Sequence, residues 1–122
     1  MRIAICDDDA ACLADVRAAA ETYAGTCTGS YWRIDTFSHP EDLLEAAEKC
    51  GGYEIHVLDV IMSGMSGIEL GLKLREDGYD GRILYLTSRP DAFRVKAFGY
   101  ILKPINAENI CKALAEATAF IA

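Results

Sequence analysis

Four short apolar runs constrain this chain of 122 residues more than any other feature: Ile3-Ala4-Ile5-Cys6, Ile55-His56-Val57-Leu58, Ile83-Leu84-Tyr85-Leu86 and Tyr100-Ile101-Leu102. Each is nearly unbroken by polar residues, as expected of strands covered on both faces of a parallel sheet. A fifth run, Tyr31-Trp32-Arg33-Ile34-Asp35-Thr36-Phe37, alternates polar and apolar residues and suits an edge strand.

Helical patterns fill the intervals. From about Ala10 to Ala24, Leu13, Val16, Ala20 and Tyr23 share one stripe. Ser38 with Glu41, and Pro40 in the first turn, predict the start of a second helix. Ser66 with Glu69 predict a third, carrying Ile68, Leu70, Leu72 and Leu74 before Gly78 stops it. A fourth, short helix fits Pro90 to about Lys96, and a fifth fits Ala107 to Ile121 with Ile110, Leu114 and Phe120 inward. Strand then helix, five times, predicts an α/β fold with right-handed crossovers. No linker, repeat or low-complexity run divides the chain, so one domain over residues 1–122 is expected.

In open sheets of this kind the working site lies beyond the carboxyl ends of the strands. There the first strand ends in Asp7-Asp8-Asp9, the third in Asp59, the fourth in Thr87-Ser88 and the fifth in Lys103-Pro104. Two or three carboxylates with water make a hard oxygen site suited to Mg²⁺ or Mn²⁺. A cation there offsets the charge of an incoming phosphoryl group and lets a carboxylate act as nucleophile. A lysine and a hydroxyl can then hold phosphoryl oxygens.

Taken singly, most of these residues have plainer uses. Asp8 or Asp9 suits an N-cap, Thr87 a strand-end cap, Lys103 a solvated surface and Tyr100 ordinary packing. Asp59 is harder to dismiss, because a carboxylate closing an apolar strand is costly without a charge partner or a metal.

Together, Ile-Cys-Asp-Asp-Asp, Leu-Asp-Val-Ile-Met-Ser-Gly-Met-Ser-Gly-Ile-Glu-Leu, Leu-Thr-Ser and Leu-Lys-Pro resemble the motifs of bacterial two-component response-regulator receivers, in order and across essentially the whole chain. The resemblance implies a flavodoxin-like (βα)5 doubly wound sheet of strand order 2-1-3-4-5. It implies a phosphorelay switch in which a sensor histidine kinase phosphorylates Asp59, with Mg²⁺ (or Mn²⁺) held by Asp7, Asp8, Asp59 and the Ile61 main-chain carbonyl. Thr87 and Lys103 match the phosphoryl-binding hydroxyl and lysine, Tyr100 the switch aromatic, Lys103-Pro104 a cis peptide, and Gly67 a turn needing a permissive backbone. Such a protein assists chemistry on itself and is not expected to be an enzyme.

The run from Ala97 to Ile105 resembles receivers that precede LytTR-type DNA-binding domains, which implies control of transcription through an output domain not present in this chain. Three departures stand out. Ser63 replaces a common proline and should loosen its loop. The stretch from Thr87 to Lys103 is about one helical turn short, so the fourth helix is expected to be abbreviated. That bears on the face of fourth helix, fifth strand and fifth helix through which relatives form homodimers. Ile61 and Arg89 fall at positions that tune phosphoryl lifetime and offer no base for water, which implies slow decay.

Two other functions compete. A haloacid-dehalogenase-type hydrolase would need an acid two residues past its nucleophile, where Ile61 stands. A degenerate receiver acting as a phosphorylation-independent binding module would fit if a key group were missing; none is, but the shortened fourth helix keeps it as the second reading.

Composition closes off other classes. A net charge of −7 disfavours direct contact with nucleic-acid phosphates. No run approaches the roughly 18 apolar residues of a membrane span. Five scattered cysteines without a CxxC spacing suit small-hydrophobe packing in a reducing cytoplasm. His39 and His56 are poor ligand candidates.

Overall fold

The computed structural model describes residues 1–27, 29, 31–88 and 97–119. Five strands, β1 (Arg2–Cys6), β2 (Arg33–Phe37), β3 (Ile55–Asp59), β4 (Arg82–Thr87) and β5 (Gly99–Leu102), form one sheet. Its order is β2-β1-β3-β4-β5 and every pairing is parallel. Four helices accompany it: α1 (Ala10–Thr26), α2 (Pro40–Cys50), α3 (Gly67–Glu76) and α4 (Ala107–Thr118). This is the flavodoxin-like arrangement. The expected short helix at Pro90–Lys96, Arg89, and the inward Phe120 lie outside the described residues.

The period of two along each strand sorts the core into two layers. Ile3, Ile5, Val57, Leu84 and Leu86 pack with Val16 and Ala20 of α1 and Ile110 and Leu114 of α4. The alternate residues Ala4, Cys6, Leu58, Ile83 and Tyr85 pack with Leu43 and Ala47 of α2 and Leu70 and Leu74 of α3. Unbroken apolar runs are thus what a sheet buried on both faces requires. β2 lies at an edge and is only half-buried, as its alternation predicts. It begins two residues later than expected, leaving Tyr31 exposed.

Capping explains where the helices start. Asp9 accepts from the Ala11 and Cys12 amides and opens α1; Ser66 accepts from the Glu69 amide and opens α3. At α2 the expected Ser38 cap is displaced by one residue. His39 is the N-cap, without a side-chain bond, because Pro40 takes the first helical position, where its missing N–H is no loss. Leu72 of α3 departs from the apolar pattern as well: it is 60% exposed, while Gly67, Leu70, Gly71 and Leu74 form the buried stripe. Among the described residues no helix is long and apolar enough to cross a membrane.

Candidate acidic phosphoacceptor site

Register places the site. Cys6 pairs with Leu58, Asp59 with Leu86 and Thr87 with Leu102. The ladder continues past the strand ends through the Asp7 amide to Phe37, the Val60 amide to Leu86 and the Lys103 amide to Thr87. The polar residues that close β1, β3, β4 and β5 therefore meet on one rim.

Asp7, Asp8 and Asp59 each present a carboxylate oxygen, all within 4.8 Å of one another. Asp7 is fully buried and Asp59 is 3% exposed. Lys103 Nζ stands 2.8 Å from Asp59 Oδ1, and the Lys103–Pro104 peptide is cis. Asp7 Oδ1 accepts from the Asp9 amide at 2.9 Å. Its other oxygen is buried with no hydrogen-bond partner among the described residues. An orphaned buried carboxylate oxygen beside two more carboxylates is the donor set that a hard divalent cation fits.

The electrostatics agree. Burial pushes the Asp59 carboxyl up; Lys103 pulls it back, and neighbouring Asp7 pushes it up again, leaving it raised. Burial opposes the charge on Lys103, but the bond to Asp59 outweighs it and holds the ammonium above its usual range. Cys12, on the first turn of α1, is pushed up to about 12 by burial and then by Asp7, so its thiol stays protonated.

Asp8 is the exposed member and is held low, chiefly by the Ser63 amide, which donates to Asp8 Oδ2 at 2.7 Å. The expectation that Ser63 loosens this loop is therefore corrected. A proline there has no N–H to give, whereas Ser63 ties the β3–α3 loop to the end of β1.

Gly67 also has a different reason from the one expected. Its φ is not positive; Gly64 is the glycine in this loop that is, at 78°. A Cβ at Gly67 would overlap the Asp59 carbonyl oxygen and approach Val60 Cα at 3.1 Å. The glycine seats α3 against the acceptor's own main chain.

Thr87 is buried at the end of β4. Tyr100 of β5 is half-buried and stacks on Tyr85 of β4, ring centroids 6.0 Å apart. Ile61 lies in the loop after Asp59 with its side chain 79% exposed. Cys12 and Tyr85 are neighbours that sequence reasoning missed, and Ser63 is one whose bond to Asp8 it did not foresee. Their parts in the site depend on a backbone amide, burial and a ring contact, none of which leaves a pattern in the sequence.

A family model described as the response regulator receiver domain matches residues 3–115. The nitrate/nitrite response regulator protein NarL of Escherichia coli is 36% identical over 88 residues, covering 67% of this chain and 40% of NarL. The positive alginate biosynthesis regulatory protein of Pseudomonas aeruginosa is 30% identical over 69 residues, covering 53% of this chain and 28% of that protein. The matched segments thus span less than half the length of these relatives.

Among solved structures, the BeF3-activated DrrB receiver domain superposes with a TM-score of 0.78 at 25% identity, covering 97% of each chain. The chemotaxis response regulator CheY4 of Vibrio cholerae gives 0.78 at 23% identity, covering 95% of this chain and 97% of its own, a likeness of fold. With the acidic rim, the lysine and the doubly wound sheet in place, the chain belongs to the response regulator receiver domain family.

Proposed function

We propose that this receiver takes a phosphoryl group on Asp59 from the phosphohistidine of a sensor kinase, with Mg²⁺ (or Mn²⁺) bound, and that the modified rim then biases an output. The observation that carries the reading is the 2.8 Å pair of Lys103 and Asp59 set against Asp7 and Asp8.

Asp7, Asp8 and Asp59 would hold the cation, with the Ile61 carbonyl as a further ligand. When bound, it supplies positive charge that offsets the phosphoryl oxygens as they approach three carboxylates. The protein's own groups do the rest. An Asp59 carboxylate oxygen attacks phosphorus; the new O–P bond forms as the P–N bond breaks, and that electron pair leaves with the imidazole. Lys103, already at the acceptor, neutralises charge on the transferring group. Burial keeps bulk water from competing. Thr87 at the end of β4 binds a phosphoryl oxygen, and Tyr100 changes position in response: a population shift driven by one new dianionic group.

The receiver turns over no external substrate, and we class it as a switch rather than an enzyme. We further infer a transcriptional output of the LytTR type, on the strength of the run from Ala97 to Ile105, a cytoplasmic setting, and homodimer formation through the face containing β5 and α4.

The test is intact mass after incubation with acetyl phosphate, in which Asp59 displaces acetate. A single Mg²⁺-dependent phosphoryl adduct, absent in Asp59→Asn, is expected. A folded protein that binds Mg²⁺ and forms no adduct would overturn the switch and leave a phosphorylation-independent binding module.

A further inference from the structure

Helix α3 carries two buried glycines four residues apart, Gly67 and Gly71, and so on the same side of the helix. Gly67 touches the main chain of Asp59. Gly71 touches something else: a Cβ there would overlap the Tyr85 hydroxyl and approach Tyr85 Cζ at 3.2 Å and Ile83 Cδ1 at 3.5 Å. Glycine inside a helix is unfavourable, and Gly71 has no positive φ to justify it. The space its missing side chain leaves is taken by the tip of Tyr85.

Tyr85 is itself 2% exposed and belongs to the core layer beneath α3. It is the register partner of Tyr100 across β4 and β5, and the two rings stack at 6.0 Å with 29° between their planes, within the range of favourable aromatic pairs. Thr87 follows two positions along β4, on the same face as Tyr85. One aromatic therefore touches both Tyr100 and the middle of α3, while the start of α3 rests on the acceptor's carbonyl.

We propose that Tyr85 is a positioning residue of the switch, tying the ring of Tyr100 to α3 and, through the Gly67–Gly71 side of that helix, to the main chain of Asp59. Close-packed contacts of this kind transmit displacement because neither partner can compress. The route runs beside the Thr87 strand end and gives α3 a share in the response. The inference rests on the switch reading given above, but its contacts belong to the resting protein and can be tested without phosphorylation.

The experiment is a double-variant cycle read at the Tyr100 ring by NMR of tyrosine-labelled protein, the signal being assigned by its loss in Tyr100→Phe. Gly71→Ala adds a methyl where the Tyr85 hydroxyl sits, and should shift the Tyr100 ring signal. Tyr85→Phe removes the hydroxyl and keeps the stack, so Gly71→Ala in that background should shift it much less. Tyr85→Leu removes the stack, and in that background Gly71→Ala should leave Tyr100 unmoved. A Tyr100 signal indifferent to Gly71→Ala in the otherwise native protein, or equally sensitive to it with Phe at position 85, overturns the proposal. The Phe background keeps the test decisive if the Leu variant fails to fold.

Beryllofluoride with Mg²⁺, a phosphoryl mimic, separates the two levels. A Tyr100 response that weakens in Tyr85→Phe, which withdraws the hydroxyl from Gly71, supports the relay in the activated state, and a response undiminished from the native one overturns it there. A native protein that shows no response at Asp59 overturns the phosphoacceptor reading, and the resting-state cycle still decides for or against Tyr85.

Discussion

At the base of the sheet, where β3 begins, arginine guanidiniums end on main-chain carbonyls; at the rim, where β3 ends, carboxylates face one another. Arg75 Nη1 donates to the Tyr79 and Gly81 carbonyls at 2.8 and 2.7 Å. Arg82 donates to the Ala117 carbonyl near the end of α4 and lies over the Phe98 ring at 4.7 Å. Arg2 donates to the Cys50 carbonyl at the end of α2. Cations on helix-terminal carbonyls are doubly favourable, as hydrogen bonds and against the helix dipole. A cavity of about 440 Å³ opens between these loops, lined by Arg2, Tyr53, Tyr79, Gly81 and Arg82 among others, yet the guanidiniums around it are already engaged with carbonyls. The rim has three carboxylates, one lysine, and a buried carboxylate oxygen with no partner among the described residues. The base guanidiniums are engaged with carbonyls of the chain and hold loops. Rim charges are left for something from outside to complete, the mark of a functional site.

The largest expected effects break the fold at either end alike. Gly81 at the base and Gly67 at the rim are both close-approach glycines: a Cβ at Gly81 would overlap the Tyr53 carbonyl and meet His56 Cε1 at 2.9 Å. Gly81→Ala and Gly67→Ala should each lose about 2–3 kcal/mol in urea denaturation. Only Gly67→Ala, which displaces the main chain of Asp59, should also slow adduct formation by the folded fraction. Equal slowing in Gly81→Ala would erase the distinction between the two ends.

His56 is a buried titratable group at the base, and it sets a pH dependence. The ring is fully buried, and neither nitrogen has a hydrogen-bond partner among the described residues. It lies against Tyr53, centroids 6.0 Å apart. Burial, and then the field of Arg75 on α3, push it down to about 4, against a weak opposing influence of the Arg82 main chain. The unfolded chain binds this proton near 6.5, so between the two values the unfolded state holds more protons and stability falls with falling pH. The contribution is complete above about 6.5 and is lost progressively down to about 4, amounting to about 3 kcal/mol. Thermal melts from pH 7 to pH 4 should show a flatter profile for His56→Leu than for the native chain; parallel profiles would count against the assignment.

The smallest effect is local to the rim. Ser63→Pro removes the amide that donates to Asp8, so the Asp8 carboxyl should titrate at higher pH than in the native protein. NMR titration of its side-chain carbon reads this directly, and an unchanged midpoint would mean that Ser63 does not hold Asp8.

The residues that close the strands were legible in the sequence only together: each has plainer uses singly, but Asp7-Asp8, Asp59, Thr87 and Lys103 fall in order at four strand ends. The double-sided sheet was legible too, in runs such as Ile83 to Leu86, and so was the Ser66 cap, whose hydrogen bond spans three residues. At α1 the sequence left Asp8 and Asp9 both open as the cap, and the structure uses Asp9. What escaped depends on partners distant in the chain. The Ser63 amide matters because of Asp8, 55 residues away; Gly67 is needed because of the Asp59 carbonyl, not its own φ; Gly71 has no local explanation until Tyr85 is placed beneath it. At α2 the local rules competed, and the stiff ring of Pro40 outweighed the capping hydroxyl of Ser38.

The acidic rim is held at a cost in stability that a bound cation relieves. Urea denaturation of the native protein and of Asp7→Asn, each with and without Mg²⁺, tests it most directly. Asp7→Asn removes one of the facing negative charges, so without Mg²⁺ the variant should be more stable than the native chain by about 1 kcal/mol. Added Mg²⁺ should stabilise the native chain by about 1–3 kcal/mol at saturation and the variant much less. A less stable variant, together with a native protein whose midpoint ignores Mg²⁺, would contradict the account.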